Sequence, residues 1–342
     1  MDGSLHFPVA TPPAPGETVL IAPGIRWLRM RLPFALNHIN LWLLEDGPGW
    51  TIVDCGYALD ETREAWQRIF AADLGGKPVR RIVVTHYHPD HMGLAAWLTE
   101  RWDAPLWTTE KEWLHAQMHA RDVGEDGAAA RRGFARRAGL DDDSSAIFAE
   151  RQGNYRRGVP SVPAAYHRLS DGSVLSIGGR DWRVIIGEGH APEHACLYCA
   201  EAGVLIAGDQ FLPKISPNIS VQVHEPAGDP LARYLASLAK LRAALPPDIL
   251  VLPSHNLPFH GVHQRIDELA AHHRERCAEI VAACTRPMSA ADMLPVLFRR
   301  VLDRHQMGFA LGEALAHLHY LEGQGAIARA NSADGVDRFI AA

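Results

Sequence analysis

The chain of 342 residues has few cysteines, no long uncharged apolar run and no excess of basic residues. Its five cysteines are too few, and odd in number, for a disulfide framework, which favours a reducing compartment and a cytoplasmic location. No apolar segment approaches the roughly 18 residues that a membrane span needs, and the N-terminus lacks the basic and apolar regions of a secretory signal. A net charge of −6 disfavours nucleic acid as the main partner, although a local basic groove is compatible with it. These absences predict a soluble globular protein without a membrane partner, and they leave oligomer formation open.

One cysteine pair, Cys196 and Cys199, has a spacing that is common in metal and redox sites. The pair lies within an apolar run that predicts a strand, and positions three apart on a strand point to opposite faces. We therefore interpret the two cysteines as small core residues.

The distribution of apolar residues predicts one large domain, an N-terminal arm and a small C-terminal domain. Residues 1–18 are proline-rich and are expected to form an extended arm. Residues 19–262 carry two strand-rich halves with helices, which favours an α/β sandwich of two sheets with helices outside. Residues 263–342 are predicted to form three helices and a small hairpin, a winged-helix-like domain.

The same periodicity predicts the individual elements. Strands are expected at residues 25–32, 39–44, 50–53, 82–84, 173–177, 182–187, 195–200, 203–207 and 249–252. Helices are expected at residues 59–72, 229–244, 263–284, 290–303 and 309–322. Residues 109–165 also have a helical pattern, with many arginines whose charge is nearly balanced by acidic residues. The simpler interpretation of this segment is a solvated helical face, and the alternative is a lid over a site.

The strongest chemical signal lies directly after the predicted strand that ends at Val84. Three histidines and an aspartate occur there within six residues: His86, His88, Asp90 and His91. Such a pattern is rare by chance. The side chains of the first two histidines point to the same side at the end of the strand. The turn through Pro89 directs the aspartate and the last histidine to a neighbouring position. One loop can therefore supply ligands to two adjacent metal sites.

Further candidate ligands occur where other predicted strands end. Three residues each follow an apolar strand: His190, Asp209 and His255. Strand ends that converge on one edge would gather all seven side chains. Imidazole and carboxylate ligands favour zinc, with manganese and iron as alternatives.

The order of these residues resembles the metallo-β-lactamase superfamily. The motif His86-x-His88-x-Asp90-His91 is followed by the three later ligands, and Asp54 lies upstream in Ile52-Val53-Asp54-Cys55-Gly56. The resemblance covers about residues 19–261 and implies a four-layer αββα sandwich. Residues 308–323 are similar to the winged-helix tail of the lactamase-beta-2-like group.

This resemblance implies a pair of divalent metal ions and assigns a role to each candidate residue. The first metal would be held by His86, His88 and His190, and the second by Asp90, His91 and His255, with Asp209 bridging them. A hydroxide shared by the two ions would attack the substrate, while Asp90 orients the nucleophile and moves a proton. Asp54 is expected to fix a loop rather than to bind metal.

The resemblance favours a hydrolase that cleaves a small ester, thioester or lactone, so that a small molecule is its expected partner. Two alternatives are a phosphodiesterase or ribonuclease that acts on single strands and an iron-dependent oxidoreductase with the same ligands. The chain departs from common family patterns at Cys55, where threonine is frequent, and at Glu188-Gly189 before the third ligand. True β-lactamases generally lack a bridging aspartate at the position of Asp209, which disfavours antibiotic hydrolysis.

Overall fold

The structure, a computed structural model, describes residues 5–121, 124–152, 155–299, 301–330 and 333–342. Residues 1–4 of the predicted N-terminal arm lie outside these ranges. Within the arm, His6 forms an isolated antiparallel bridge with His260. None of the helices in the described ranges contains a stretch that is both long and apolar enough to cross a bilayer.

The chain divides into two compact units, each built from several segments. The first unit consists of residues 1–121, 155–217 and 240–266. The second unit consists of residues 122–154, 218–239 and 267–342. Part of the predicted helical insertion thus belongs to the second unit, and the domain boundaries given above stay a prediction.

Within the described ranges, the first sheet of the first unit has seven strands. They are β1 Thr18–Ala22, β2 Ile25–Arg31, β3 His38–Asp46, β4 Gly49–Val53, β5 Val79–Val83, β6 Leu106–Thr109 and β7 His167–Leu169. Neighbours in the sheet follow the chain order. Strands β1 to β4 are antiparallel, whereas β4 to β7 run parallel. Parallel strands end at the same edge of a sheet, which places the residues after β4 and β5 side by side.

The second sheet of the first unit has five strands in its described part. They are β8 Val174–Ile177, β9 Arg180–Gly187, β10 His194–Cys199, β11 Val204–Gly208 and β12 Leu250–Pro253. The order in the sheet is β12-β11-β10-β9-β8, with parallel pairing only between β11 and β12. Because β9 and β11 are each antiparallel to β10, the strands β9, β11 and β12 all end at one edge.

The core of the first unit lies between the two sheets. Trp27 and Trp42 from the first sheet and Trp182, Val184 and Leu197 from the second share one buried cluster. Each of these side chains is at most 1% exposed. Burial of large apolar side chains on both inner faces holds the sheets together and fixes the strand ends relative to one another.

Helices cover the outer faces of the sheets or build the second unit. They are α1 Asp60–Ala72, α2 Pro89–Met92, α3 Ala95–Trp102, α4 Glu110–Arg121, α5 Glu125–Arg137, α6 Asp142–Gln152, α7 Tyr155–Gly158, α8 Pro230–Ala244, α9 Val262–Ala283, α10 Ala290–Leu297 and α11 Arg304–Gly323. Helix α1 packs its apolar face, with Trp66 and Ile69, in one cluster with residues of the first sheet. On the second sheet, Lys240 Nζ at the end of α8 donates a hydrogen bond of 2.9 Å to the carbonyl of Ile186. The α/β fold class predicted from the sequence, two sheets with helices outside, is confirmed.

The second unit is mainly helical and ends in a small sheet. Helix α10 begins with a capping box, in which Ser289 and Asp292 exchange hydrogen bonds with each other's backbone N–H groups. The antiparallel strands β13 Ile327–Ala330 and β14 Arg338–Ala341 form the sheet. Helices followed by a hairpin were predicted for this region and are present, whereas the winged-helix interpretation stays a prediction.

Strands β6 and β7 were not predicted from the sequence, and neither were strand β1 and helices α2 and α3. Strands β6 and β7 contain four and three residues, and two of the three residues in β7 are exposed. Elements this short carry too few positions for an alternating pattern to stand out. They form strands because the parallel edge beside β5 provides hydrogen-bond partners for them.

Candidate metal centre

The seven candidate ligands lie at one edge of the sandwich, because each follows the end of a strand. His86 and its neighbours follow β5, and His190 follows β9. Asp209 comes directly after β11, and His255 comes two residues after β12. The structure therefore brings together every residue for which a metal-binding role was predicted, although the role itself stays a prediction.

The first group consists of three imidazoles that face one another. His86 Nε2 lies 2.9 Å from His88 Nδ1 and 3.3 Å from His190 Nε2. One ring nitrogen of each residue can be chosen so that all three lie within 4.8 Å of one another. Three such nitrogens leave a fourth tetrahedral position open for water or substrate, as catalytic zinc sites require.

The second group combines one carboxylate with two imidazoles. His255 Nε2 lies 3.5 Å from Asp90 Oδ2, and His91 Nε2 lies 3.8 Å from the same oxygen. These three residues also have ligand atoms within 4.8 Å of one another. The carboxylate adds a negative charge, which favours a cation between the three side chains.

Asp209 lies between the two groups. Its Oδ2 is 3.5 Å from His190 Nε2 and 3.4 Å from His255 Nε2, and its Oδ1 is 3.7 Å from His91 Nε2. Ligands of a tetrahedral ion at about 2.0–2.2 Å are roughly 3.3–3.6 Å apart from one another. The spacing around Asp209 is therefore close to that of a carboxylate shared by two ions.

Two buried atoms in this centre have no hydrogen-bond partner among the described residues, His91 Nε2 and Asp209 Oδ1. Leaving a buried polar atom without a partner costs about 1–3 kcal/mol. The two atoms lie 3.7 Å apart, too far for a hydrogen bond. A divalent cation would satisfy both, so the residues present fit a metal centre.

Hydrogen bonds on the far side of the rings direct the ligand atoms. His91 Nδ1 donates to Asp54 Oδ2 at 2.8 Å, and His255 Nδ1 donates to the carbonyl of His38 at 2.8 Å. Because a carboxylate and a carbonyl can only accept, Nδ1 carries a proton in both rings, and Nε2 is the nitrogen directed at the centre. An imidazole held in this way is the arrangement found in carboxylate–histidine–zinc sites.

The pKa shifts show which side chains of the centre carry charge. Burial lowers the pKa values of His91 and His255, but the negative charges of Asp54 and Asp209 raise both overall, so a divalent ion would displace protons from these two rings. Burial and the neighbouring His91 hold the pKa of His86 well below its ordinary value, so this imidazole is neutral at neutral pH. Burial alone would raise the pKa of Asp209, but the positive charges of His255 and His91 hold it well below its usual range. The carboxylate therefore stays ionised and needs positive charge beside it.

Asp54 supports the loops, in agreement with the role expected for it. Its backbone adopts a left-handed conformation with φ 62°, and the side chain is fully buried. Besides His91, it accepts hydrogen bonds from the backbone N–H of Thr85 at 2.8 Å and from the Thr85 hydroxyl. The carboxylate thus ties the end of β4 to the loop after β5.

His194 has a supporting role that sequence reasoning did not find. The imidazole is fully buried, and its Nε2 accepts a hydrogen bond of 3.0 Å from the backbone N–H of Asp209. Burial lowers the pKa of His194 to about 3, which keeps the ring neutral and able to accept. A Cβ on Gly208 would lie only 2.3 Å from His194 Nε2, so the ring fits here only because residue 208 is glycine. His194 is the first residue of β10, whereas the candidate ligands follow the ends of strands.

Residues outside the centre support it through the aromatic ring of Tyr87. His119 stacks on this ring at 5.3 Å, and His115 lies tilted at 5.5 Å. Neither residue belongs to a group of three metal-binding side chains among the described residues. Tyr155 is buried, and its hydroxyl donates a hydrogen bond to the carbonyl of Tyr87.

Comparison with known proteins identifies the family. Residues 36–255 match the model of the metallo-β-lactamase superfamily, and residues 277–342 match the model of the metallo-β-lactamase-like C-terminal domain. The chain therefore belongs to the metallo-β-lactamase superfamily.

Solved structures and curated relatives agree with this assignment. A β-lactamase domain protein from Burkholderia ambifaria is 49% identical and superposes with a TM-score of 0.91, covering 99% of this chain and 98% of that chain. A metallo-β-lactamase family protein from Thermus thermophilus is 30% identical with a TM-score of 0.79, covering 94% of this chain and 99% of that chain. A probable metallo-hydrolase of Bacillus subtilis is 25% identical over 88% of this chain and 92% of its own length. A linear primary-alkylsulfatase of Pseudomonas is 25% identical over 78% of this chain and 51% of its own length.

Proposed function

We propose that the protein is a hydrolase that uses two divalent metal ions, in the first place zinc, to cleave a small ester, thioester or lactone. One observation carries the proposal: two groups of three donors share Asp209 at distances suited to ligands of neighbouring ions. Membership of a family with probable metallo-hydrolases supports the same reaction class. The proposed ligands are the seven residues predicted from the sequence.

Two ions held by these ligands would supply a strong nucleophile from water near neutral pH and would polarise the scissile carbonyl. The histidines of the first group hold their lone pairs toward one point. Asp209 places its two oxygens between the groups. Asp54 and the His38 carbonyl keep His91 and His255 in the tautomer that binding needs.

Asp90 is the residue proposed to move a proton. Its side chain is 16% exposed, compared with 9% for Asp209 and full burial for Asp54. A carboxylate with access to solvent can exchange a proton with a departing group, whereas a fully enclosed one cannot. Exposure therefore separates the proposed catalytic carboxylate from the supporting ones.

A sulfate ester is a second candidate substrate, because the relative named as a linear primary-alkylsulfatase aligns with 78% of this chain. Sulfate and carboxylic esters differ at the electrophilic atom, so a direct comparison of turnover separates them. A phosphodiesterase acting on single strands and an iron-dependent oxidoreductase stay as alternatives for the same ligands.

The test is metal analysis of the purified full-length protein together with a hydrolysis panel. The panel contains a carboxylic ester, a thioester, a lactone, an alkyl sulfate, a bis-phosphodiester, single-stranded RNA and a β-lactam. We expect about two zinc ions per chain and preferred turnover of the carbonyl substrates, lost on chelation and restored by zinc. His88→Ala serves as the inactive control.

Full turnover by chelated protein would contradict the proposal, and so would an absence of carbonyl-substrate hydrolysis in the protein with two metals. Preferred cleavage of RNA or the phosphodiester would favour the phosphodiesterase instead. Iron in the purified protein together with oxygen uptake would favour the oxidoreductase.

A further inference from the structure

Helix α4 buries a glutamate beside the candidate metal centre, Glu112. Its side chain is 0% exposed, on the same face of the helix as the buried Ala116. A carboxylate on the buried face of a helix is costly, because it loses its hydration. Among the described residues no lysine, arginine or histidine forms an ion pair with it. Packing alone does not account for this residue type.

Both oxygens of Glu112 accept a hydrogen bond from a backbone amide. Oε2 accepts from the N–H of Tyr87 at 2.8 Å, and Oε1 accepts from the N–H of Glu193 at 2.6 Å. Tyr87 lies between the ligands His86 and His88 in the chain. One carboxylate thus joins the loop after β5 to the loop after β9, which carries His190.

The two loops supply the whole of the first group of ligands. His86 and His88 belong to one loop and His190 to the other, so the distance between the loops sets the distance between their nitrogens. The second group depends on different supports, since Asp54 and the His38 carbonyl hold His91 and His255. Glu112 therefore acts on one group more directly than on the other.

The start of α4 adds weaker contacts to the same loop. The backbone N–H of Lys111 donates to Glu193 Oε2 at 3.2 Å, and the Thr109 hydroxyl donates to the Glu193 carbonyl at 2.9 Å. The Lys111 side chain is half exposed, so water competes for its ion pair with Glu193. Glu112 is the fully buried member of this junction, and each of its oxygens accepts from a backbone amide.

A carboxyl group is the side chain that suits this position, and burial raises the pKa of Glu112 to about 8 against the lowering effect of its two backbone hydrogen bonds. It offers an acceptor on each oxygen, whereas glutamine offers one acceptor and would direct its NH₂ group at the second amide N–H. Substitution by glutamine should therefore break one of the two bonds without changing the size of the side chain.

We propose that Glu112 is a positioning residue that holds the three histidines of the first group at the spacing required by a divalent ion. The inference rests on the proposed function, since it supposes that a metal binds there. Loss of a supporting hydrogen bond near a metal lowers affinity about 10–100-fold.

The experiment measures zinc affinity of full-length variants by competition with a chromophoric chelator, in two backgrounds. His255→Ala leaves only the first group complete, and His88→Ala leaves only the second. Introducing Glu112→Gln should weaken zinc binding about 10–100-fold in the first background and less than about threefold in the second. Circular dichroism checks that each variant is folded. If Glu112→Gln fails to fold, Glu112→Asp, which keeps both acceptors on a shorter stem, is measured in its place with the same expected contrast.

Asp46→Asn is the matched control. Asp46 is a buried carboxylate at the other end of β3, where it accepts from the Thr51 hydroxyl at 2.9 Å and the N–H of Gly178 at 3.2 Å. Its loss should leave zinc affinity in both backgrounds unchanged. Equal losses from Glu112→Gln in both backgrounds, or no loss in either, would overturn the positioning role. A wild-type protein that binds no zinc would overturn the proposed function itself, and with it the premise of this role.

Discussion

The first and the second unit each bury a group of histidines, and the hydrogen bonds of the two groups differ. In the second unit, His317 Nδ1 donates to the carbonyl of Glu313 at 2.8 Å. His317 Nε2 therefore keeps its lone pair and accepts from His273 Nδ1 at 3.1 Å. The two imidazoles thus form a row of hydrogen bonds, from His273 to His317 and from His317 to the backbone carbonyl. Only His273 Nε2 in this row is buried without a partner among the described residues.

In the first unit, the Nδ1 hydrogens of His91 and His255 point away from the centre instead. His91 and His255 donate to Asp54 and to a backbone carbonyl, so their Nε2 atoms converge with the carboxylates of Asp90 and Asp209. Among the described residues, the groups with metal-site geometry all lie in this unit. The comparison shows that burial and histidine number do not make a metal site. What distinguishes the first unit is that ring nitrogens of several histidines converge beside the carboxylates of Asp90 and Asp209.

The largest expected effect is that of removing Asp209, the carboxylate proposed to bridge the two metal ions. Asp209→Ala takes away the oxygens between the two groups and leaves His91, His190 and His255 without their anionic neighbour. We expect complete loss of hydrolysis and loss of at least one of the two metals. His317→Ala in the second unit removes an equally buried side chain. It should lower thermal stability but keep the metal content and the turnover per folded molecule.

Metal analysis and turnover of the two variants, measured side by side, test the comparison. Substantial hydrolysis by Asp209→Ala would show that the two groups do not act through a shared carboxylate. Loss of metal from His317→Ala would show that the histidines of the second unit contribute to metal binding after all.

The candidate ligands could be predicted because each carries a signal in its own segment. The motif from His86 to His91 is dense, and Asp209 and His255 each follow a strong apolar strand. The sandwich was predictable for the same reason, since its long strands have clear apolar patterns. The roles are still to be tested, but the convergence of the side chains follows from strand order.

The supporting residues could not be predicted, because their partners lie far away in the chain and are backbone atoms. The amides that bind Glu112 are 25 and 81 residues from it. A charged residue on the apolar face of α4 was the signal available, and it gave no indication of the partner. The contact between His273 and His317 could likewise not be predicted, since periodicity does not reveal that two helices bury the same pair.

A smaller effect is expected from the pH dependence of stability in the second unit. Burial raises the pKa of Glu313 from 4.5 to about 7, against a hydrogen bond from Asn218 that lowers it. Because the folded-state pKa is the higher one, the stabilisation is complete below about pH 4.5 and is lost as pH rises through about 7. Glu313→Gln does not titrate. Between pH 4.5 and pH 8, the free energy of unfolding of the wild type should therefore fall by roughly 2 kcal/mol relative to that of Glu313→Gln.

Chemical denaturation of both proteins across this pH range measures the difference. The histidines of the first unit are the same in both, so their titration cancels when the two curves are subtracted. Parallel curves would mean that Glu313 has the same pKa in the folded and the unfolded chain. This result would contradict the raised pKa of its buried carboxyl group.

The smallest effect compares two neutral, fully buried imidazoles, one from each unit. Burial lowers the pKa to about 3 for both His194 and His273. They differ in their partners, since His194 accepts from the backbone N–H of Asp209 whereas His273 donates to His317. His194→Ala should weaken zinc binding about tenfold, because the loop that carries the bridging carboxylate loses its anchor. His273→Ala should leave zinc affinity unchanged, although both variants lose thermal stability.

His194→Gln, whose amide oxygen can accept from the same N–H, should recover part of the affinity. If His194→Ala and His273→Ala bound zinc equally well, His194 would contribute to stability only. The two units would then differ in their candidate ligands but not in the residues that support them.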